Sequence, residues 1–291
     1  MKKIIFLLIF VLSFLSQANA QLLWKIDKKG VSKPSYLFGT HHLIPVSFLY
    51  TIPGLFKAFN ECDVVIGEMV LNNIDATEKI QQAALLPKDS TMSTIMSEEN
   101  YSLVDHELRA TLGLGLKEMS MLNPSFIRTM YELEIYNKTT GSSEEDMLSD
   151  SYFQMAGEQK GKKIVGLEDI DKQIDILLGN KDLRREAQLL AETVRNKEEI
   201  VEGLITLNEL YKAGEIEKLV ELAKVQENFT DMTDEEYAIM VDNRNFAWVE
   251  ILPDYINQSP CFIAVGALHL GGENGLINLL KKQGYKITPV K

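Results

Sequence analysis

Several signatures of familiar enzyme classes are missing from this sequence. It contains no Gly-x-Ser-x-Gly frame around a nucleophilic serine, no phosphate-binding P-loop and no dinucleotide-binding glycine fingerprint. His106-Glu107 is not followed by the second histidine of a helical zinc-protease motif, and we expect His106 to be solvated on a helix. The two cysteines, Cys62 and Cys261, do not have the spacing of a zinc motif. Any catalytic site must therefore be built from other residues.

Positive charge is also scarce. The chain has 30 Lys and Arg residues against 42 Asp and Glu residues, a formal net charge of −12. Such an acidic protein repels phosphate backbones, so we expect no nucleic-acid partner. Its 291 residues and hydrophobic fraction of 45% are ordinary for a packed globular core. We expect one α/β domain over residues 21–291.

Long apolar runs are confined to the start of the chain. Lys2 and Lys3 precede an apolar run from Ile4 to Leu15, and Ala18-Asn19-Ala20 then supplies the small residues that a signal peptidase reads. This layout predicts a signal peptide over residues 1–20, cleaved before Gln21. The signal peptide predicts an exported protein, periplasmic or extracellular. Because no later stretch is apolar enough to span a bilayer, we expect no stable membrane insertion after cleavage.

Four short apolar runs share one pattern, in which a buried strand ends in glycine followed by acids or histidines. Unbroken apolar runs are typical of central strands buried on both faces. Glycine allows a sharp turn at each strand end. Ligands bind beyond the carboxyl ends of parallel strands, so these ends have a physical reason to converge. The four segments are 36–42 (YLFGTHH), 64–68 (VVIGE), 164–169 (IVGLED) and 262–269 (FIAVGALH).

Between these runs the sequence is helical in pattern. Strands that alternate with helices predict an α/β sandwich with a central, mainly parallel sheet and an active site at the strand ends. The charged, periodic stretch of residues 181–223 predicts a helix-rich middle insertion, and residues 180–225 form a candidate helical cap over the sheet. Further helices are predicted over residues 53–60, 74–86, 98–112, 126–136, 143–156, 235–255 (ending near Pro253) and 275–283, with a last strand at 285–287.

The strand-end histidines and glutamate are the residues best suited to chemistry. His42 and His269 share the frame Gly-x-x-His, and Glu68 ends the second strand. Two imidazoles and one carboxylate form a ligand set for a divalent ion with an open position for water. Such an ion lowers the pKa of its bound water and creates a nucleophile. The alternative for each residue is a structural role, and the sequence assigns no role to His41 or Glu168.

Two further segments could contact a substrate. Arg244 and Asn245 precede the fourth strand on a helix, where they could stabilise negative charge on a substrate oxygen. The alternative for Arg244 is a surface salt bridge with Asp242 or Glu250. The loop 271–275 (GGENG) could hold an anion on free backbone N–H groups, or could simply form a tight turn.

The two cysteines occupy corresponding positions. Cys62 lies six residues before Glu68, and Cys261 lies eight before His269, so each precedes a strand whose far end carries a site residue. If the two strands are parallel neighbours, the sulfurs could reach bonding distance. A disulfide is therefore one hypothesis, and free buried thiols are the other.

At these residues the chain resembles the TraB/GumN family, which is similar to the Tiki metalloproteases, over nearly all of the sequence after residue 20. The resemblance implies a fold like that of the erythromycin-esterase and haem-binding ChaN-like superfamily, with a site made of two Gly-x-x-His motifs and a glutamate. It also implies a metal-dependent protease using manganese or cobalt as readily as zinc. The family often has Asp two residues after the site Glu, where this chain has Val70. The segments that carry the resemblance are 37–42, Glu68, 166–168, 243–245, 266–270 with Gly272, Gly275 and Leu276, and 284–285.

These observations lead to a metal-dependent hydrolase, a peptidase, acting on a peptide or small-molecule substrate outside the cytoplasm. His42, Glu68 and His269 would bind Mn, Co or Zn, while Arg244 and Asn245 assist catalysis. A second hypothesis is an esterase-like hydrolase without metal, in which His42 is the general base and Glu68 orients it. A third is a periplasmic haem- or metal-binding protein without enzymatic activity, with iron on His41 or His42.

Overall fold

A six-stranded mixed sheet forms the centre of the molecule. The computed structural model describes residues 21–71, 74–141, 149–179 and 182–291. The strand order is β4-β3-β5-β2-β1-β6; β4, β3, β5 and β2 run parallel, whereas β1 is antiparallel to both β2 and β6. The predicted α/β class with a mainly parallel sheet is confirmed. The strands are β1 Leu23–Asp27, β2 Ser35–Thr40, β3 Val64–Gly67, β4 Lys163–Gly166, β5 Cys261–Gly266 and β6 Lys286–Pro289.

The three inner parallel strands are buried as their sequences predict. Every residue of β2 and β3 is buried, and so is every residue of β5 except its terminal Gly266. β1 was not predicted. Only Leu23 and Ile26 of this strand are buried, and its other three residues are half-buried. Its sequence, LWKID, therefore lacks the unbroken apolar run of the inner strands.

Helices surround this sheet and also form a separate cluster. Residues 181–223, predicted to be helical, contain three helices from Leu183 onward, whereas the predicted helix start at 143 and the predicted signal peptide lie outside the described residues. In chain order the helices are α1 Val46–Leu49, α2 Leu55–Glu61, α3 Ile74–Ala83, α4 Met92–Ile95, α5 Glu98–Leu112, α6 Pro124–Thr140, α7 Ser149–Gln159, α8 Ile170–Leu177, α9 Leu183–Arg195, α10 Lys197–Lys212, α11 Ile216–Ala223, α12 Asp234–Tyr237, α13 Asn243–Ile256 and α14 Leu276–Lys282.

The end of the predicted helix 235–255 is confirmed to within one residue. α13 ends at Ile256 and contains Pro253 in its last turn. Proline has no N–H to give to the carbonyl four residues earlier, which here belongs to Val249. The side-chain amide of Gln283 donates to that carbonyl instead, at 3.0 Å. The lost helical hydrogen bond is thus replaced, and the helix persists.

A π-helical turn, Ala238–Asp242, joins α12 to α13. In this turn the backbone N–H of Asn243 donates to the carbonyl of Ala238, five residues earlier. A single π-turn inside an α-helix occurs frequently at functional sites. Here it ends two residues before Arg244.

Two large apolar clusters stabilise the fold. The sheet core packs around the strands, where the rings of Phe38, Phe59, Phe153 and Phe262 lie against one another. The second cluster, here called the helical core, lies among α4, α5, α6, α9 and α10. Its buried members are Leu86, Met92, Val104, Leu108, Leu116, Met119, Ile127, Tyr131, Ile135, Leu190, Ala191, Val194 and Val201.

Cys62 and Cys261 are both free and buried, so the disulfide hypothesis is wrong for this structure. The strand register gives the physical reason. β3 and β5 are indeed parallel neighbours, but Cys261 lies opposite Val64, two residues beyond Cys62. Burial raises the pKa of the Cys261 thiol to about 12, and the pKa of the Cys62 thiol is raised further for the same main reason. Both thiols therefore remain protonated at neutral pH.

Within residues 21–71, 74–141, 149–179 and 182–291, no helix combines the length and the apolar composition needed to cross a bilayer.

Candidate active site

The carboxyl ends of four parallel strands meet at one edge of the sheet. Glu68 follows β3 and Glu168 lies two residues beyond β4, while β5 leads into a 3₁₀ turn, Ala267–His269. The sheet pairing continues into this region, since the Glu168 N–H donates to the Glu68 carbonyl at 2.8 Å. β5 lies between β3 and β2, so its loop is placed between those carrying Glu68 and His42. This is the edge at which parallel sheets bind ligands.

Glu68 is the most accessible of the ionised side chains gathered here. Its Oε1 accepts a hydrogen bond from the Gly266 N–H at 2.8 Å, and its Oε2 accepts one from Arg244 Nη2 at 2.6 Å. The side chain is 26% exposed, compared with 6% for each of its neighbours Arg244 and Glu168. A solvent molecule or ligand can therefore reach this carboxylate first.

Arg244 connects two strand ends from the first turn of α13. Its guanidinium contacts both Glu168 carboxylate oxygens, with Nε at 3.2 and 3.1 Å and Nη2 at 2.9 Å from Oε2. Nη1 donates to the carbonyl of Met240 in the π-turn at 3.2 Å. The alternative of a surface salt bridge is wrong, because Arg244 is only 5% exposed. A buried guanidinium is stable only when its charge is paired, and two carboxylates pair it here.

Asn245 fixes the orientation of the His269 ring. Its amide Nδ2 donates to the carbonyls of His269 at 3.2 Å and Asn274 at 2.9 Å, which leaves its Oδ1 as an acceptor 2.8 Å from His269 Nδ1. The ring therefore carries its proton on Nδ1, an assignment made from the hydrogen-bond network. Nε2 is then the acceptor, 3.2 Å from Arg244 Nη1 and 3.8 Å from Glu68 Oε1.

Both His269 and Glu68 are deprotonated at neutral pH. Burial is the main cause that lowers the pKa of His269, to about 4; nearby Arg244 lowers it further and Glu68 opposes this. For Glu68, burial acts to raise the pKa, but the positive charges of His269 and Arg244 and the Gly266 N–H outweigh it and hold the pKa at about 2. Since His269 is neutral at pH 7, Arg244 is the cation that neutralises Glu68 there.

The first Gly-x-x-His motif is placed differently. His42 is exposed, whereas His41 is half-buried with its ring 5.1 Å from that of Tyr211. Ser149 holds the His41 backbone, with its Oγ donating to the carbonyl at 3.0 Å. Among the described residues, no three His, Cys, Asp or Glu side chains are grouped so that they could hold a metal ion. Glu68, His269, Arg244 and Asn245 thus form one cluster, and the ligand set that adds His42 stays a prediction.

The glycine-rich loop after His269 already donates hydrogen bonds to two carboxylates of this protein. The Gly272 N–H donates to Glu217 Oε2 at 3.0 Å, and Asn274 Nδ2 donates to Asp242 Oδ2 at 2.8 Å. Asn274 also supplies one of the carbonyls that hold Asn245. In this arrangement the loop supports the orientation of His269.

Sequence reasoning missed two glutamines and a tryptophan. Gln173 Nε2 donates to Glu168 at 3.0 Å and lies 3.5 Å from Glu68 Oε2. Gln154 holds the segment after Glu68, accepting from the Leu71 N–H at 3.0 Å and donating to the Met69 carbonyl at 2.8 Å. One signal was available for Gln173, which is a polar residue on the apolar stripe of α8.

Trp248 lies beneath the cluster, one helical turn after Arg244. The centre of its ring is 4.7 Å from Arg244 Cζ and 4.4 Å from the centre of the His269 ring. A guanidinium at this distance from an indole face makes a cation–π contact. The side chain is fully buried, so it forms the apolar floor of the site.

Comparison with known proteins gives a consistent result. The sequence profile of the TraB/PrgY/gumN family matches residues 22–289. Metalloprotease TIKI1 from Danio rerio is 23% identical over an alignment of 318 positions, gaps included, that covers 91% of this chain and 62% of that protein. The chain therefore spans less than two thirds of the length of this relative. No solved structure matches.

Proposed function

Since the chain belongs to the TraB/PrgY/gumN family, we propose that it is a metal-dependent hydrolase of the peptidase type. The relative TIKI1 is a metalloprotease by name, which supports the reaction class. The observation that carries the proposal is the state of the cluster, in which an ionised Glu68 and a neutral His269 lie at a partly open sheet edge.

The protonation states favour ligands over acid–base catalysts. A general base works best with a pKa near the working pH, whereas the pKa values of Glu68 and His269 are about 2 and about 4. A metal ligand must instead be deprotonated when the ion arrives, and both groups meet this requirement at pH 7. The same comparison argues against a metal-free mechanism that relies on Glu68 or His269 as the base.

The donor set fits Mn, Co or Zn in its chemistry. His269 presents Nε2 because Asn245 holds Nδ1–H, the support that metal-binding histidines ordinarily receive. His42 would complete the set, since it is exposed and follows the neighbouring strand. When bound, the ion would lower the pKa of a coordinated water and so supply the nucleophile.

Other residues of the cluster would act on the substrate or hold the site. Arg244 would stabilise the negative charge that develops on the scissile carbonyl oxygen. Glu168 and Gln173 would hold the guanidinium in place. The cation–π contact with Trp248 would fix the guanidinium from below.

Elemental analysis of the purified protein tests the metal. We expect near-stoichiometric Mn, Co or Zn in the wild type, lost in His42→Ala and in His269→Ala. His106→Ala is the matched control, because His106 is exposed on α5 and lies outside the cluster. Metal that persists in both site variants contradicts the ligand assignment.

Activity is tested with a peptide library before and after treatment with a strong chelator. Chelator-sensitive cleavage supports the peptidase, and cleavage that is indifferent to chelators points to the metal-free esterase-like alternative. A protein that cleaves nothing but gives a visible absorption band with hemin, lost in His41→Ala or His42→Ala, would be the non-enzymatic carrier. Each outcome identifies one of the three functions considered.

Export is a separate part of the proposal. The layout of residues 1–20 supports secretion, with cleavage between Ala20 and Gln21. N-terminal sequencing of the protein expressed from the full precursor should give Gln21 as the first residue. A cytoplasmic product that retains Met1 would contradict this part alone.

A further inference from the structure

Arg244 engages the atoms that a metal ion would need. Its Nη2 lies 2.6 Å from Glu68 Oε2, and its Nη1 lies 3.2 Å from His269 Nε2. The guanidinium thus donates to one oxygen of the carboxylate and to the only basic nitrogen of the imidazole. An ion binding both residues has to displace these two contacts and must also tolerate a second positive charge nearby.

Arg244 has a second anchor that does not depend on Glu68. Glu168 receives three of the guanidinium contacts, through Nε and Nη2. Gln173 holds Glu168 from α8, and the Glu168 side chain is 6% exposed against 26% for Glu68. The guanidinium can therefore release the more exposed carboxylate and remain paired with the more buried one.

We propose that Arg244 is a resident counter-cation that holds Glu68 and His269 ready in the absence of metal and withdraws onto Glu168 when a divalent ion binds. The inference rests on the proposed function and adds its regulation, since metal affinity is set by competition with a side chain of the same protein. Before the ion arrives, Arg244 keeps the two carboxylates from being buried without a counter-charge. Afterwards it is released from the ligand atoms and faces the substrate.

Isothermal titration of the metal-free full chain with MnCl₂, CoCl₂ or ZnCl₂ tests the competition. We expect Arg244→Gln to bind the ion at least tenfold more tightly than the wild type, because the competing cation is gone. Arg244→Lys, which keeps the charge, should bind more weakly than Arg244→Gln. Arg109→Gln is the control, because Arg109 makes an exposed ion pair on α5, and it should not change affinity.

A double-mutant cycle tests the role of Glu168. Glu168→Gln alone should weaken metal binding about tenfold, since Arg244 then depends on Glu68 as its remaining carboxylate. In the Arg244→Gln background the same change should matter less than threefold. An equal effect in both backgrounds would mean that Glu168 acts only through its own charge, and would overturn its role as the second anchor.

Trp248 provides a readout of the movement itself. The chain has two tryptophans, and Trp24→Phe leaves Trp248 as the only one. Because Arg244 Cζ lies 4.7 Å from the Trp248 ring centre, withdrawal of the guanidinium should change the emission of Trp248 on metal addition. The change should be smaller in Arg244→Gln at saturating metal.

The outcomes separate this inference from the proposed function. If the wild type and Arg244→Gln bind metal equally, or metal leaves the Trp248 emission unchanged, the competition is overturned while the metal-dependent hydrolase stands. If neither protein binds any of the three ions, both are overturned. Should Arg244→Gln fail to fold by circular dichroism, the comparison of Glu168→Gln with the wild type decides: equal metal affinity in these two proteins, or an unchanged Trp248 emission on metal addition, would contradict the inference.

Discussion

The sheet edge and the helical core bury their charged groups in different ways. Around the helical core, each buried or half-buried acid has its own separate hydrogen-bond partners: Glu186 accepts from Ser125, and Glu107 accepts from Tyr131 and Lys197. At the sheet edge, by contrast, Glu68 and Glu168 converge on one arginine beside an imidazole. Packing is enough to explain a single pair, whereas charges that converge at the carboxyl ends of parallel strands are typical of functional sites.

The comparison also separates two kinds of stability. Removing a side chain from the helical core should weaken the fold and leave the chemistry alone, whereas a change at the sheet edge should alter ionisation before it alters packing. Substitutions in the two regions and changes of pH test this separation.

Leu190→Ala should have the largest effect on the fold. Leu190 is fully buried in the helical core, so we expect a loss of about 2–5 kcal/mol in the free energy of unfolding, measured by urea denaturation. Leu133→Ala, at an exposed leucine of α6, is the control and should change stability by less than about 0.5 kcal/mol. Metal affinity should be the same in both variants; a change above threefold in Leu190→Ala would show that the two regions are coupled.

Lowering the pH should reduce the free energy of unfolding in two pH ranges, each set by one side chain at the sheet edge. The pKa of His269 is lowered from 6.5 to about 4, and that of Glu68 from 4.5 to about 2. In both cases the unfolded chain binds the proton more readily, so stability is present above the unfolded pKa and is lost as pH falls through the folded pKa. The expected loss is on the order of 3 kcal/mol for each group.

Urea denaturation at several pH values checks these ranges. Relative to the wild type, His269→Gln should be less sensitive between pH 6.5 and 4, and Glu68→Gln less sensitive between pH 4.5 and 2. Glu158→Gln, an exposed acid on α7, serves as the control. Parallel pH curves for the wild type and both site variants would contradict the assigned pKa directions.

Asn245→Asp should alter the site without removing atoms from it. A carboxylate at this position cannot donate to the carbonyls of His269 and Asn274, and it stabilises a protonated imidazole. We expect the pKa of His269 to rise, measured by NMR titration, and metal affinity to fall about 10- to 100-fold. Asn228→Asp, at an exposed asparagine, is the control. An unchanged His269 pKa would mean that Asn245 does not set the tautomer.

Gln154→Ala should have the smallest effect. It removes the hydrogen bonds to Met69 and Leu71, each worth about 1 kcal/mol, and so loosens the segment that follows Glu68. Hydrogen exchange at the Leu71 amide should accelerate, while Gln159→Ala, an exposed glutamine of the same helix, should leave it unchanged. Equal exchange rates in the two variants would show that Gln154 does not hold this segment.

The sequence was sufficient to predict the sheet edge because its signal is local. Each inner strand is a short apolar run with glycine at its end, and a candidate site residue follows that glycine within three positions, as at Glu68 and His269. Parallel topology then brings these ends together without any further information. The strand β1 was missed because its run is interrupted by polar residues, as expected for a strand that is not buried throughout.

The partners of Arg244 could not be predicted in the same way. Spacing on a helix suggested Asp242 or Glu250, whereas the observed partners are Glu168 and Glu68, which are 76 and 176 residues away. Apolar periodicity likewise indicated helices in the region of residues 84–212 but not which of them pack together to form the helical core. Both results depend on tertiary arrangement, which short-range patterns do not contain.

The π-turn before Arg244 makes the site depend on the number of residues as well as on their identity. Each residue of an α-helix turns the chain by about 100°. Deleting one residue from Ala238–Asp242 would therefore rotate Arg244, Asn245 and Trp248 together relative to the helix that precedes them, with none of the three substituted. In a chain with that deletion, all three side chains would be retained in the sequence but displaced from Glu68 and His269. When related sequences are compared, the length of this segment is therefore as informative about the site as the residues that form it.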